Sequence, residues 1–79
     1  MRRMHSCAGE CADAVALARD PYRLHAAPDR ELVVAAVTLS KAMVHTVDAP
    51  GTMRATRAAA LDLLDSAGRA IGAELRRRQ

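Results

Sequence analysis

The sequence predicts an all-α fold: a long antiparallel helical hairpin with a shorter N-terminal helix packed across it, as a three-helix up-down bundle. Three observations lead to this prediction. Apolar residues recur at helical spacing along most of the chain, proline and glycine divide it into three segments, and no stretch alternates as a strand does. The predicted helices cover about residues 6–19, 29–47 and 53–77.

The first segment, about residues 6–19, is the weakest of the three. Its small apolar residues share one stripe of a helical wheel, formed by Cys7, Cys11, Val15 and Ala18. Gly9 disfavours a helix here by ~1 kcal/mol relative to alanine. Asp20-Pro21 closes the segment. We expect a connection from there to the second segment.

The second segment begins with clear helix signals, since Pro28 precedes two acids, Asp29 and Glu31, that complement the helix dipole. Its apolar residues spread over roughly 220° of the wheel, whereas a helix with one neighbour needs little more than ~100°. A chain of 79 residues has few helices with which to cover so wide an arc. The width of this apolar arc therefore predicts that the helix binds a partner, most simply a second copy of the chain.

The third segment begins after Pro50-Gly51, with Thr52 as a natural N-cap. The short connection at 48–52 predicts an antiparallel hairpin of segments two and three. Segment three is longer by some 9 Å at about 1.5 Å per residue, so we expect its arginine end, Arg76–Arg78, to overhang. Its inward stripe comprises Met53, Ala60, Leu64, Ala67, Ile71 and Leu75.

Composition supports association. The chain has no Phe, no Trp and one Tyr, so the side chains that usually dominate a small core are missing. Oligomerisation is a common remedy in domains of this size. We expect self-association, or docking of a helical protein partner, through one set of residues on segment two: Leu32, Val33, Val37, Leu39, Met43, Val44 and Val47. Segment three can cover one side of this arc, around Leu32, Ala36, Leu39 and Met43. The other side, around Val33, Val37, Val44 and Val47, can be covered only by the N-terminal helix or by another chain. The function predicted is that of a small interaction, regulatory or adaptor protein.

The N-terminal residues His5, Cys7 and Cys11 give the first alternative, a metal- or thiol-responsive regulator. Thiolate and imidazole ligands suit Zn or Cu, and the up-down arrangement would bring His45 near them. The spacing lacks the C-x₂-C pairs of structural zinc sites, and free cysteine is among the most buried residue types. Small core residues are the favoured interpretation, so we expect no cofactor.

The second alternative is a nucleic-acid-associated protein, for which the arginines at both ends of the chain are the only indication. No aromatic residues are placed to stack on bases, and solvated helix ends explain the arginines more simply. Arg57 lies near the apolar stripe of segment three. It would extend outward to water or pair with Asp48 or Glu31.

Catalysis has little support, because no serine has a triad context and the glycines form no phosphate-binding motif. We expect a protein that is not an enzyme. No apolar stretch approaches the ~20 residues of a membrane span, and no signal-peptide core follows Arg2 and Arg3. We therefore expect a cytoplasmic protein. The chain carries no motif that we recognise from a known family.

Overall fold

The computed structural model describes residues 2–49, 51 and 53–79, and their side chains from residue 9 onward. The described residues form four helices and no strand, which confirms the all-α class. The helices are α1 (Arg2–Arg19), α2 (Pro21–Ala26), α3 (Asp29–Asp48) and α4 (Arg54–Arg77). The bounds of α3 and α4 each agree with the predicted ones to within one residue. Helix α1 begins earlier than predicted, and Thr52 lies outside the described residues.

The expectation of a plain connection after Asp20 was wrong, because a short helix, α2, forms there. The Asp20 side chain accepts hydrogen bonds from the backbone N–H groups of Tyr22 and Arg23, at 3.0 and 3.3 Å. Pro21 occupies the first helical position, where its missing N–H costs nothing. Asp-Pro is therefore the start signal of α2 as well as the end of α1.

Helices α3 and α4 form an antiparallel hairpin, as contacts at both of its ends show. At one end, Arg57 Nη2 donates to the backbone oxygen of Ala49, at 2.9 Å. At the other, Arg78 Nη1 lies 2.7 Å from Asp29 Oδ1. The connection between the helices includes Gly51 at φ 75°, in the left-handed region that glycine adopts without a steric penalty. Helix α1 packs against both members of the hairpin.

The core is small and rich in alanine. Its fully buried large side chains are Leu32 and Leu39 of α3 and Ile71 of α4. The other buried apolar residues are Ala14, Leu17, Ala27, Ala35, Leu64 and Ala67. Alanine brings helices close together but contributes little buried apolar area, so this core offers less hydrophobic stabilisation than most of its size.

The predicted overhang of the α4 arginine end is also wrong. Arg78 follows the last helical residue and contacts both α2 and the first residue of α3. The extra length of α4 is matched by α2, which lies beside its C-terminal end. An additional helix that the sequence interpretation missed thus engages Arg78, whereas Arg76 and Arg77 are exposed as expected.

Candidate interaction surface

The seven residues predicted to form an interface divide between the core and the surface. Leu32 and Leu39 are fully buried inside the chain, so they are core residues and are not available to a partner. Met43 is partly buried against the same core. The remaining four are exposed valines of α3, which we call the valine face: Val33 (50% exposed), Val37 (48%), Val44 (61%) and Val47 (55%).

The valine face is a continuous stripe along α3. Its residues are spaced by four, seven and three positions, which keeps them within about 80° of one another on the helical wheel. From Val33 to Val47 the stripe runs about 21 Å at 1.5 Å per residue. Ser40 lies within it and contributes a small side chain. Val34 is also exposed, but it lies about 100° round the helix from Val33, on the side of α1.

Charged residues close the stripe at each end. Arg30 lies one turn before Val33, and Asp48 directly follows Val47. Both are exposed, and neither side chain makes a hydrogen bond or an ion pair within the part of the chain that the structure describes. An apolar stripe with charged ends has the composition of a protein-binding helix face, whose centre is apolar and whose rim is polar.

A second polar feature, missed by the sequence interpretation, lies at the C-terminal end of α4. Glu74 is buried, and its carboxylate lies between two arginines. Arg78 Nε donates to Glu74 Oε2 at 3.0 Å, and Arg77 Nη2 lies 3.1 Å from Glu74 Oε1. His25 Nδ1 of α2 lies 3.6 Å from Glu74 Oε2. We call Glu74, Arg77, Arg78, His25 and Asp29 the polar cluster.

The charges of the polar cluster set the protonation of its members. The hydrogen bond from Arg78 holds the pKa of Glu74 below its ordinary value, and the positive charges of Arg77 and Arg78 act in the same direction against the opposing effect of burial. Hydrogen bonds to Asp29 and Glu74 raise the pKa of Arg78. Both groups are therefore charged at neutral pH.

Arg78 also completes the end of α2. Its Nη2 atom donates to the backbone oxygens of Leu24 and His25, at 3.2 and 3.0 Å. The last carbonyls of a helix have no partner within the helix, and an arginine side chain is a good donor to them. One side chain thus joins α2, the first turn of α3 and the end of α4. The polar cluster therefore connects α2, α3 and α4 through side-chain contacts.

The residues predicted as metal ligands are only partly described. His5 and Cys7 lie in α1, but their side chains are outside the described residues. Cys11 is a free, half-buried thiol, and it lines a cavity of ≈ 370 Å³ between α1 and α3 together with His45, Lys41 and others. The described side chains contain no group of three His, Cys, Asp or Glu residues that would hold a metal ion.

The arginines that indicated nucleic-acid binding are partly engaged within the chain. Arg77 and Arg78 pair with Glu74, and Arg78 pairs with Asp29 as well. On the outer surface of α4, Arg69 Nε lies 2.8 Å from Asp65 Oδ2. These pairings reduce the positive charge that α4 presents to a phosphate backbone.

Comparison with known proteins gives no relative for this chain. No protein-family model, no curated protein and no solved structure matches it. Within the described residues, none of the helices combines the length and apolar character needed to cross a bilayer. The proposals below therefore depend on the geometry of the chain itself.

Proposed function

We propose that this protein is a small helical interaction module, with a regulatory or adaptor role, that works by self-association through the valine face of α3. The observation that carries the proposal is the exposure of four valines in one continuous stripe on a helix whose other apolar side is already buried. Scattered apolar residues are normal on a protein surface, but a continuous stripe indicates a binding site.

The total surface supports the same conclusion. The chain exposes 5878 Å², whereas a compact monomer of 8.5 kDa would expose roughly 4,700 Å². The difference, on the order of 1,200 Å², indicates a chain with more exposed surface than a compact monomer of its size. The radius of gyration is 13.0 Å, above the ~11.6 Å expected for a chain of 79 residues. A dimer would cover surface that the monomer leaves in water.

The strength of this association can be bounded. Burying a fully exposed valine side chain is worth about 1.5 kcal/mol, so eight half-exposed valines in a dimer contribute roughly 6 kcal/mol. Association costs an estimated ~4–15 kcal/mol in lost freedom of motion. We therefore expect a modest affinity, and measurements should extend from about 1 µM to about 500 µM.

Substitution of Val44 by aspartate tests the proposal. Val44→Asp places a charge in the most exposed part of the valine face, so it should abolish association while the monomer keeps its helicity. Mass is measured by sedimentation equilibrium over that concentration range, and helicity by circular dichroism. A wild-type chain that is monomeric throughout, or a Val44→Asp chain whose mass equals that of the wild-type dimer, would contradict the proposal.

Val34→Asp is the matched control. Val34 lies on the same helix and is 57% exposed, close to the 61% of Val44, but it faces α1 rather than the valine face. We expect Val34→Asp to leave most of the association intact. Equal loss with both variants would show that the whole solvent side of α3, and not the valine face, makes the contact.

A further inference from the structure

Two unpaired charges flank the valine face on the same side of α3. Arg30 and Asp48 are 18 residues apart, which is about five whole turns of an α-helix, so they have the same angular position. That position is about 60° round the wheel from Val33. Along the axis they are separated by about 27 Å. One edge of the stripe thus carries a positive charge at one end and a negative charge at the other.

Both charges are placed against the helix dipole. Arg30 lies in the first turn of α3 and Asp48 is its last residue, whereas cations are favoured at a helix C-terminus and anions at its N-terminus. Asp29 and Glu31 in the same first turn complement the dipole, but neither Arg30 nor Asp48 pairs with another side chain within the described residues. A partner that supplies the opposite charge at each end would pair both.

The symmetry of a dimer decides whether antiparallel or parallel packing of two α3 helices pairs these charges. When two copies of α3 pack antiparallel about a twofold axis, the same edge of each stripe meets, so Arg30 of one copy faces Asp48 of the partner subunit, twice. When they pack parallel, each edge meets the opposite edge of the other copy. That opposite edge carries Ala36, Met43 and one charged residue, Asp29. Asp29 already pairs with Arg78, and no charged residue of that edge lies level with Asp48, so a parallel dimer leaves Asp48 without a partner.

We infer that the valine face binds a second copy of the chain in antiparallel orientation, with Arg30 of each copy paired with Asp48 of the other. This inference rests on the proposed function and specifies its partner and register. The pairing puts the twofold axis level with Leu39 and Ser40. It brings Val33 near Val47 of the partner subunit and Val37 near the partner subunit's Val44. Ser40, beside the axis, lets the two helices approach closely.

One contact in this arrangement is unfavourable. Lys41 lies on the same edge as Arg30, so the two copies of Lys41 approach each other near the axis. Each lysine also lines the cavity between α1 and α3 with Glu10, which provides a negative charge on its own chain. Salt weakens the repulsion between the two exposed lysines further, because the screening length is ~8 Å at physiological ionic strength.

Charge reversal tests the register. Arg30→Asp or Asp48→Arg alone places like charges opposite each other at both of the dimer's two equivalent contacts. Either substitution should raise the dissociation constant of the dimer roughly 10-fold at low salt. The combined variant restores opposite charges and should return the constant to near the wild-type value. Each substitution improves the match to the helix dipole, so loss of folding would not explain a weaker dimer. Sedimentation equilibrium of the full chain gives the constants.

Cross-linking tests the position of the axis. Ser40→Cys should form a disulfide-linked dimer under mild oxidation, because the two positions face each other within reach of the ~4.4–6.8 Å between Cα atoms that a disulfide needs. Ser66→Cys, an exposed serine of α4, is the matched control, and the unaltered chain accounts for Cys7 and Cys11.

The outcomes separate this inference from the proposed function. If Val44→Asp abolishes the dimer but single charge reversals leave its dissociation constant unchanged, the antiparallel register is wrong and the valine face remains the interface. A combined variant that stays as weak as the single ones would likewise overturn the register. A wild-type chain that never dimerises would overturn both.

Discussion

At the scale of single residues, Glu74 is the least expected feature of the molecule. It is the one charged residue that is buried among the described side chains, and its carboxylate contacts Arg77, Arg78 and His25. A buried carboxylate is tolerated only when it is paired and hydrogen-bonded. These bonds also lower the pKa of Glu74, which links the stability of the fold to pH.

We predict that Glu74→Gln lowers the melting temperature at neutral pH, because it leaves two neighbouring arginines without their shared carboxylate. The difference from wild type should shrink as the pH falls. The pKa of Glu74 is lowered in the folded chain, so its stabilisation is present above the unfolded value of about 4.3 and is lost as the pH falls through the folded value. Thermal denaturation at a series of pH values measures this.

Glu10→Gln provides the control for that series, since Glu10 is exposed and pairs with nothing within the described residues. Its effect should be small at every pH. A Glu74→Gln chain as stable as wild type at neutral pH would mean that the polar cluster does not stabilise the fold.

At the scale of elements, α2 is held by hydrogen bonds at both of its ends and by one half-buried side chain, Leu24, that packs against the core. Six residues are too few to be helical alone, and none of them is buried. Asp20 caps its N-terminus, and Arg78 binds the carbonyls at its C-terminus. The helix therefore forms because a capping residue, Asp20, directly follows α1 and because α4 is long enough to bring Arg78 to its other end.

We predict that Asp20→Ala destabilises the protein by about 1 kcal/mol, the usual cost of losing an N-cap. Asp20→Asn should keep most of that stability, because asparagine is an equally good cap. Urea denaturation followed by circular dichroism gives both values. Equal losses for the two variants would indicate that Asp20 acts through its charge and not through its hydrogen bonds to α2.

At the scale of the whole molecule, stability depends on few large side chains. Leu32, Leu39 and Ile71 are the fully buried ones in the described part of the chain, and much of the remaining core is alanine. Small domains are marginally stable, so each large core residue accounts for a sizeable part of the free energy of unfolding. The wide surface of α3 adds stability only when a partner covers it.

We predict that Leu39→Ala costs about 2–5 kcal/mol, enough to unfold much of the population. Leu63→Ala is the matched control, since Leu63 is 45% exposed on α4 and should lose under ~1 kcal/mol. Chemical denaturation at one protein concentration compares the two. Similar losses would show that the core does not centre on α3.

The sequence alone determined the helical class, the bounds of the two long helices and the hairpin that they form. These follow from local rules: apolar spacing, proline and glycine at segment ends, and a connection too short for any other arrangement. It also determined that α3 has more apolar surface than one neighbour can cover. Local patterns carry this information because they depend only on residues near one another in the chain.

Spacing within segment two also divided that apolar arc into a side around Leu32 and Leu39 and a side of four valines, and the burial of the leucines agrees with this division. The tertiary structure decided that α1 does not cover the valines, because this depends on where α1 packs. It alone also formed the polar cluster, because Arg78 and Asp29 are 49 positions apart in the chain. Contacts across such a separation depend on how whole helices pack, which no local pattern records.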